Sequence, residues 1–293
     1  MKTLIKFYFG LISRIAPRFG ANQAFNFFQR PLNKKIRPKE MSFFKAAKRF
    51  KIQHYLEDIE CFELGPNDGK LVILVHGWES NAASMSGIGL ELAAEGYHVI
   101  LFNLPAHGFS KVPKANLKVC KEVFLEVINH VNPSGPFSVV SHSFGSAVTT
   151  YALSKTTYHV ENLVLLTSPN SMTKVFKDFA DFINLSQRSF ELMCDKANDL
   201  LREPLEQIEV EKISPQINYG HMTLIQDEFD KVVPKKDAID IYNNWDRSSL
   251  ELVSKVGHYR MLWNQKVISL IQSALKKGSS QHEDEARLKA VMF

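Results

Sequence analysis

The stretch that decides the fold is Phe137-Ser138-Val139-Val140-Ser141-His142-Ser143-Phe144-Gly145-Ser146. Its first half is short and apolar with β-branched residues, which is typical of a buried strand. Gly145 and Ser146 are small, so a helix can begin almost on top of the end of that strand. A strand, a sharp turn and a helix make a nucleophile elbow, whose strained backbone points the hydroxyl of the turn residue outward. Ser143 is therefore the candidate nucleophile.

This elbow departs from the usual pattern at one position. Most elbows have glycine two residues before the nucleophile, whereas this chain has Ser141, which is still small enough for a crowded corner. A loose S-x-S-x-G pattern is a weak signal when it stands alone, because short motifs recur by chance. The rest of the chain has to decide whether Ser143 is a nucleophile.

Length and composition indicate an ordinary globular protein. The chain has 293 residues, of which 45% are hydrophobic and 23% are charged, enough for one large domain or two smaller ones. Cys61, Cys120 and Cys194 are odd in number and widely spaced, so neither a disulfide framework nor a zinc site is indicated. We expect a cytoplasmic protein that needs no metal and no cofactor. No apolar run approaches the roughly 20 residues that span a bilayer, and we expect no signal peptide.

Residues 1–57 form a predicted basic amphipathic N-terminal arm. Residues 1–53 contain 13 Lys and Arg and a single acid, Glu40, so their net charge is 13 − 1 = +12, and the other 240 residues carry 5 − 12 = −7. The arm also holds nine of the 21 Phe. Such a segment can lie on an anionic membrane or an acidic partner. It can instead bury its apolar stripe on its own protein, which we favour. Nucleic-acid binding is not expected, since no recognised module accompanies the charge.

From residue 58 onward, short apolar strands alternate with helical stretches, which predicts a mostly parallel sheet with crossover helices. The first two strands, 59–64 and 70–76, are expected to pair as a hairpin across the turn-rich segment 65–69. Five more strands are predicted at 97–103, 137–142, 162–167, 221–226 and 250–253. Helices are predicted between them at 82–95, 117–131, 146–154, 235–244 and 264–277.

Two backbone amides are candidates for an oxyanion hole. His76-Gly77-Trp78 ends the second predicted strand, and in acyl-transfer enzymes of this layout the loop there donates an N–H to the oxyanion. Gly77 lets the backbone approach, and the amide of Trp78 is the expected donor. The second expected donor is the amide of Phe144, directly after the nucleophile.

A general base and an acid remain to be found among loop residues. His107 is an alternative candidate for the base, but it lies before the serine on a loop rich in small residues, which favours a structural role for this histidine. Three acids, Asp227, Glu228 and Asp230, follow a predicted strand, and His258 lies between the last strand and the last helix. The order serine, acid, histidine is one of the three chain orders that build this kind of triad. His258 is therefore the expected base.

In combination, these motifs resemble the α/β-hydrolase fold. More narrowly, the chain resembles a group of mostly uncharacterised bacterial α/β hydrolases that share HGW, PAHG-x-S, HSFG, D-x-x-VP and GH-x-R, over residues 58–276. The resemblance implies Ser143 as nucleophile, His258 as base and Asp230 as the acid. It also implies an α/β fold with a mostly parallel twisted sheet flanked by helices. The departures are Ser141 and Asn103, where many relatives carry Asp.

Residues 169–219 interrupt the alternation, which predicts a helical cap inserted over the site. Its apolar residues recur at helical spacing and include Phe179 and Phe182, the expected substrate-binding side chains. The same stripe could instead attach the cap to the body. The tail, residues 277–293, is polar and is expected to be mobile.

The sequence thus predicts a serine hydrolase that cleaves a carboxylic ester or a thioester through an acyl-enzyme. Two alternatives stay open. An acyltransferase would use the same residues with another acceptor in place of water, and a non-catalytic binder of small molecules would use only the pocket. Fold alone does not choose between them.

Overall fold

A computed structural model describes residues 2–33 and 36–277. Eight strands form one sheet in the order β1-β2-β4-β3-β5-β6-β7-β8. Strand β2 runs antiparallel to both of its neighbours, and the other neighbouring pairs are parallel. The strands are β1 (Lys48–Ile52), β2 (Ile59–Leu64), β3 (Leu71–Val75), β4 (His98–Phe102), β5 (Phe137–His142), β6 (Val160–Leu166), β7 (Tyr219–Asp227) and β8 (Ser248–Val253).

Helices cover both faces of this sheet. They are α1 (Lys2–Ile15), α2 (Pro17–Phe28), α3 (Phe43–Ala46), α4 (Ser86–Ala94), α5 (Leu117–Val131), α6 (Phe144–Leu153), α7 (Met172–Phe182), α8 (Gln187–Leu201), α9 (Lys235–Asn244) and α10, at residues 265–277. None of the helices in the described ranges has the length and hydrophobicity that a bilayer crossing requires. The predicted tail beyond residue 277 lies outside the described residues.

The core consists of two apolar layers, one on each face of the sheet. Val139 of β5 belongs to the layer that also holds Phe124 of α5. The next residue, Val140, belongs to the layer that holds Ile271 of α10. Successive side chains of a strand point to opposite faces, so central strands that are apolar at every position supply both layers. This explains the continuous apolar runs and confirms the predicted α/β architecture.

The predicted hairpin between the first two strands is wrong. Strand β2 pairs with β4, and β4 separates it from β3. The segment 65–69 therefore spans a strand position, and a side chain at Gly69 would lie 2.2 Å from the carbonyl oxygen of Gly96, just before β4. Turn residues indicate that a chain reverses direction, but they do not tell which strand fills the space between.

The predicted helical arm contains one strand that the sequence pattern did not reveal. Strand β1 pairs antiparallel with β2 at the edge of the sheet. Lys48 and Arg49 form salt bridges across to Glu63 and Glu60, with N–O distances of 2.7 and 3.0 Å. Basic side chains are common on edge strands, where they discourage pairing with other chains. Part of the arm's charge therefore belongs to the sheet edge.

The two helices of the arm pack on α8, which with α7 makes up the predicted cap segment, called the cap below. Ser13 of α1 accepts hydrogen bonds at its carbonyl oxygen from the hydroxyls of Ser186 (2.7 Å) and Ser189 (3.0 Å), at the start of α8. Its hydroxyl accepts from the amide of Ser186 at 2.9 Å. Helices α1 and α2 meet where a side chain at Gly20 would lie 2.7 Å from the Cα of Ser13. Close approach of the three helices thus depends on small residues.

Candidate active site

Ser143 occupies a sharp turn between the central strand β5 and helix α6. Its backbone has φ 53° and ψ −125°, a left-handed conformation that costs a residue with a side chain of order 1–3 kcal/mol. The amide of Ser143 donates to the carbonyl oxygen of Leu166 at 2.9 Å. A side chain at Gly145 would lie 2.5 Å from the carbonyl oxygen of His76. Only glycine lets α6 begin this close to the end of β3.

The unusual serine of the elbow is accommodated by a polar contact. The hydroxyl of Ser141 donates to the hydroxyl of Ser146 at 3.2 Å, and both residues are fully buried. A buried hydroxyl costs free energy unless it is hydrogen-bonded. The pair therefore replaces the usual glycine without leaving that group unsatisfied.

His258 connects Ser143 with Asp230. Its Nε2 lies 3.0 Å from the Ser143 hydroxyl, and its Nδ1 lies 2.8 Å from Oδ2 of Asp230. Because a carboxylate accepts only, the proton of a neutral ring belongs on Nδ1, which leaves the Nε2 lone pair for the serine proton. His258 is almost completely buried, as is the Asp230 carboxylate.

The Asp230 carboxylate is held in its charged form. Burial alone would raise its pKa, but the hydrogen bond from His258 and those from the Val232 and Val233 amides outweigh burial, and the pKa lies below its usual value. The two amides lie 2.7 and 3.2 Å from Oδ1. A charged acceptor is the form that can orient an imidazole and stabilise its protonated state.

The neighbouring acid, Asp227, has a different set of partners. Its Oδ1 accepts from the amides of Phe229 (2.9 Å) and Lys255 (3.1 Å), and its Oδ2 accepts from the amide of Gly257. It is fully buried at the end of β7. Asp227 therefore fixes the turn that carries His258, while Asp230 contacts the ring itself.

A second histidine, which no sequence motif singles out, supports His258. His142, directly before the elbow serine, donates from Nε2 to the carbonyl oxygen of His258 at 2.9 Å. Complete burial, together with the nearby His258 ring, lowers the pKa of His142 to about 3. The sequence signal for a role of His142 in the site is its position next to Ser143. A strand residue at that position could equally be a core residue without a role in the site.

The two expected oxyanion donors belong to the loop after β3 and to the start of α6. A side chain at Gly77 would lie 3.0 Å from Ser143 Cβ and 3.0 Å from the His142 carbonyl oxygen, so the loop that carries Trp78 approaches Ser143 closely. The second amide, of Phe144, is the first in α6. Among the described residues, neither amide finds a hydrogen-bond acceptor. Both are therefore available to an oxygen atom bound at Ser143.

His107, the alternative base, is held within the loop that follows β4. Its Nδ1 lies 2.8 Å from the carbonyl oxygen of Pro105, and its ring packs against Trp78 and His76, with centroids 5.0 and 5.3 Å apart. It is fully buried. This position fits the structural role that the sequence favoured.

A cavity of about 420 Å³ opens onto Ser143. Most of its wall is aromatic or aliphatic. Phe179 and Phe182 of the cap, the expected substrate-binding side chains, both line it, and Phe182 is 44% exposed. The other apolar side chains in its wall include Phe25, Phe27, Phe28, Trp78, Phe144, Met172, Phe176 and Leu201.

The N-terminal arm supplies a wall of this cavity, which the sequence did not predict. Phe28 of α2 packs against Phe179 of α7, with ring centroids 5.0 Å apart, and Phe27 lies 5.8 Å from Phe179. Phe28 also stacks on Trp78 at 6.5 Å. The signal was the density of Phe in the arm, but a sequence cannot tell which surface such side chains cover.

Polar contacts anchor the end of α2 beside the cavity. The carbonyl oxygen of Gln29 accepts from the amide of Ala115 at 2.8 Å, and its side-chain oxygen accepts from Asn116 at 3.0 Å. The amide of Leu32 donates to the Glu79 carboxylate at 2.7 Å, next to the Trp78 loop. The arm is thus attached to the body as well as to the cap.

A family model described as the alpha/beta hydrolase fold matches residues 70–193. These residues include the central strands, the elbow and the first helix of the cap. The strand order, with one antiparallel strand beside a parallel set and a helix starting at the strained Ser143, agrees with that match. This chain has the α/β-hydrolase fold.

Several solved structures share the α/β-hydrolase fold at low sequence identity. A membrane phospholipase A, described as a bacterial virulence factor, is 16% identical with a TM-score of 0.63, over 93% of this chain and 98% of that one. An esterase from Exiguobacterium antarcticum is 17% identical with a TM-score of 0.61, over 78% and 100%. The thioesterase domain from the curacin biosynthetic pathway is 16% identical with a TM-score of 0.60, over 78% and 99%. No curated protein matches the sequence.

The α/β-hydrolase family match covers only part of the site. Residues 70–193 contain Ser143 and both candidate oxyanion amides, whereas Asp230 and His258 lie beyond that range. The aromatic side chains of α2 lie before it. The support for Asp230, His258 and the α2 wall therefore comes from the geometry of this chain and not from the family match.

Proposed function

We propose that this protein is a serine hydrolase that cleaves a carboxylic ester or a thioester through an acyl-enzyme. The observation that carries the proposal is the pair of hydrogen bonds at His258, 3.0 Å to the Ser143 hydroxyl and 2.8 Å to Asp230. A nucleophile within reach of a base, and a base oriented by a third group, is the arrangement that activates serine.

In the first half of the reaction, the Ser143 hydroxyl oxygen attacks the acyl carbon while His258 Nε2 takes its proton. Asp230 keeps the Nδ1 proton of His258 in place and stabilises the positive ring that forms. When the carbon–oxygen or carbon–sulfur bond breaks, His258 returns the proton to the leaving alcohol or thiol. The acyl group is then bonded to Ser143.

In the second half, water takes the place of the serine hydroxyl. His258 removes a proton from the water as it attacks the acyl carbon, and the Ser143 oxygen leaves with that proton. In both halves the carbonyl oxygen becomes negatively charged, and the amides of Trp78 and Phe144 are the donors positioned to stabilise it. Removal of one such donor typically costs about 10²–10³ in kcat.

The cavity supports a substrate with an apolar acyl chain. Its wall is mostly aromatic and aliphatic, from α2, α7 and the Trp78 loop. Each methylene that leaves water contributes about 0.8 kcal/mol, which corresponds to about a fourfold gain in kcat/KM for each added carbon until the cavity is full. We therefore infer a preference for medium-chain esters over acetate.

Labelling with a fluorophosphonate probe tests the proposal. The wild-type protein should be labelled, and Ser143→Ala should not. Ser171→Ala is the matched control, because Ser171 lines the same cavity but contacts Glu209 through its hydroxyl at 3.0 Å. Retention of label by Ser143→Ala, or an unlabelled wild-type protein with no ester turnover, would contradict the proposal.

A further inference from the structure

Helix α1 is apolar on two sides, and the protein covers only one of them. Phe9 packs against Phe27 of α2, and Ser13 bonds to the cap, so these residues mark the buried side. The opposite side carries large apolar side chains that remain in solvent. They are Leu4 (71% exposed), Phe7 (68%), Tyr8 (45%), Leu11 (52%) and Ile15 (70%).

We call these five residues the α1 stripe. Leu4, Tyr8, Leu11 and Ile15 follow one another at steps of four, three and four, and Phe7 lies three residues after Leu4 and four before Leu11. Such spacing places them on one side of a helix. Single exposed apolar residues are normal on a protein surface. A contiguous exposed row of them is not, and it marks a surface that meets another apolar phase.

The charge around the α1 stripe is all of one sign. Residues 2–28 contain Lys2, Lys6, Arg14 and Arg18 and no acid, so the helix pair carries +4. All four are exposed, and none forms a salt bridge with an acid in the described part of the chain. Lys6 lies over the Phe182 ring, and Arg14 donates to the Gly10 carbonyl oxygen. The surface therefore combines an exposed apolar row with two cations, Lys2 and Arg18, that form no salt bridge in the described part of the chain.

We propose that α1 docks on a lipid bilayer that carries anionic headgroups. The α1 stripe enters the boundary between headgroups and acyl chains, and the cations lie at the lipid phosphates, as in other interfacial helices. A second copy of the chain fits this surface less well, because it would bring the same +4 against it with no acid to compensate.

Docking would also fix the position of the cap. Ser13 of α1 is hydrogen-bonded to Ser186 and Ser189 of α8, so the cap stays attached to the docked helix. This places the cap and the cavity behind it near the bilayer surface. The docking itself requires no catalysis, and Ser143→Ala should bind vesicles as the wild-type protein does.

Sedimentation with vesicles tests the apolar part of the proposal. The full chain should bind vesicles of phosphatidylcholine and phosphatidylglycerol at low salt, and bind pure phosphatidylcholine far more weakly. Phe7→Ser with Leu11→Ser should lower the partition coefficient at least about tenfold, because two large side chains no longer leave water. The matched control is Ile239→Ser with Tyr242→Ser, a pair that is partly exposed on α9 and should change little.

A charge pair tests the electrostatic part. Lys2→Gln with Arg18→Gln should weaken binding to anionic vesicles by about fivefold per charge, and added salt should reduce that difference. Lys255→Gln with Lys266→Gln is the matched control, because both lysines are exposed and neither forms a salt bridge in the described part of the chain. The proposal is overturned if the wild-type protein does not bind vesicles, or if the Phe7→Ser, Leu11→Ser variant binds them as well as the wild type does. It is also overturned if sedimentation velocity shows a wild-type dimer that this variant does not form. The Phe7→Ser, Leu11→Ser variant should still be labelled by the fluorophosphonate probe. A loss of vesicle binding can therefore be told apart from a failure of the hydrolase proposal.

Discussion

Phe28 of α2 and Phe176 of α7 lie with ring centroids 4.4 Å apart, and both line the cavity that opens onto Ser143. One comes from the N-terminal arm and the other from the cap. The pocket is thus shared between two segments that are far apart in the sequence. Its shape depends on how these two segments pack together.

Phe28→Ala should change which ester is preferred. Loss of the ring widens the cavity, so kcat/KM for medium-chain nitrophenyl esters should fall several-fold while acetate turnover changes little. Phe179→Ala should act in the same direction, since Phe179 packs on Phe28. Phe50→Ala, an aromatic residue of β1 that packs on His130 outside the cavity, is the control. If the wild type and all three variants show the same dependence of kcat/KM on chain length, Phe28 and Phe179 do not form the wall that contacts the acyl chain.

The two acids after β7 should separate in their effects. Asp230→Asn removes the charged partner of His258 and should lower kcat by several orders of magnitude with a modest loss of stability. Asp227→Asn leaves the His258 ring contact in place but disturbs three backbone hydrogen bonds, so it should lower the free energy of unfolding by about 1–3 kcal/mol with a smaller effect on kcat. Kinetics and urea unfolding on both variants measure the separation, and the reverse ranking would reassign the acid.

Ser143→Ala and His258→Ala should not be additive. Each should remove most of the ester turnover, and the double variant should be hardly slower than either single one, because the two residues act as one unit. A double variant that loses as much again as each single one would mean that they act separately. Steady-state kinetics with one activated ester is sufficient, provided that circular dichroism shows native spectra.

Acid should destabilise this protein through two buried histidines. Burial lowers the pKa of His142 and of His76 to about 3, with a nearby histidine adding to the effect in each case. The unfolded chain takes up these protons below pH of about 6.5 and the folded chain does not. The free energy of unfolding should therefore fall with pH from there toward pH 3, by up to about 1.4 kcal/mol per pH unit for each ring.

Urea unfolding of His142→Gln, compared with the wild-type protein between pH 6.5 and 4.5, isolates one of the two rings. The variant's pH dependence should be shallower by about the contribution of one proton. Asp230 also favours stability at higher pH, because its pKa is lowered, but it is present in both proteins and cancels. Parallel curves for variant and wild type would show that His142 is not held neutral.

The sequence predicts the strands well where local chemistry decides them. Apolar periodicity predicts the same first and last residues that the structure has for β2, β5, α5 and α9. It failed where the answer depends on distant partners. The turn at 65–69 predicts a hairpin between β2 and β3. Instead, β2 pairs with β4, which follows about 35 residues later in the chain. The sequence pattern does not predict strand β1, because it lies in a basic segment and an edge strand needs few apolar residues.

The site shows the same division. Ser143 and His258 could be named because a strained turn and a glycine-flanked loop leave local signatures, whereas Asp230 was chosen over Asp227 only by resemblance. The geometry supports that choice through one contact of 2.8 Å. The aromatic wall from α2 could not be predicted, since its partners Phe176 and Phe179 are about 150 residues away. No local pattern records such a contact.

The bonds between Ser13 and the start of α8 join residues 173 positions apart. A ribosome adds roughly 5–20 residues each second, so on the order of ten to thirty seconds pass between synthesis of α1 and synthesis of the helix that covers it. During that time the Phe side chains of α2 have no cap to pack against. The aromatic side chains of α2 are therefore among the first parts of the site to be made, and they stay unpacked until α7 and α8 have been synthesised.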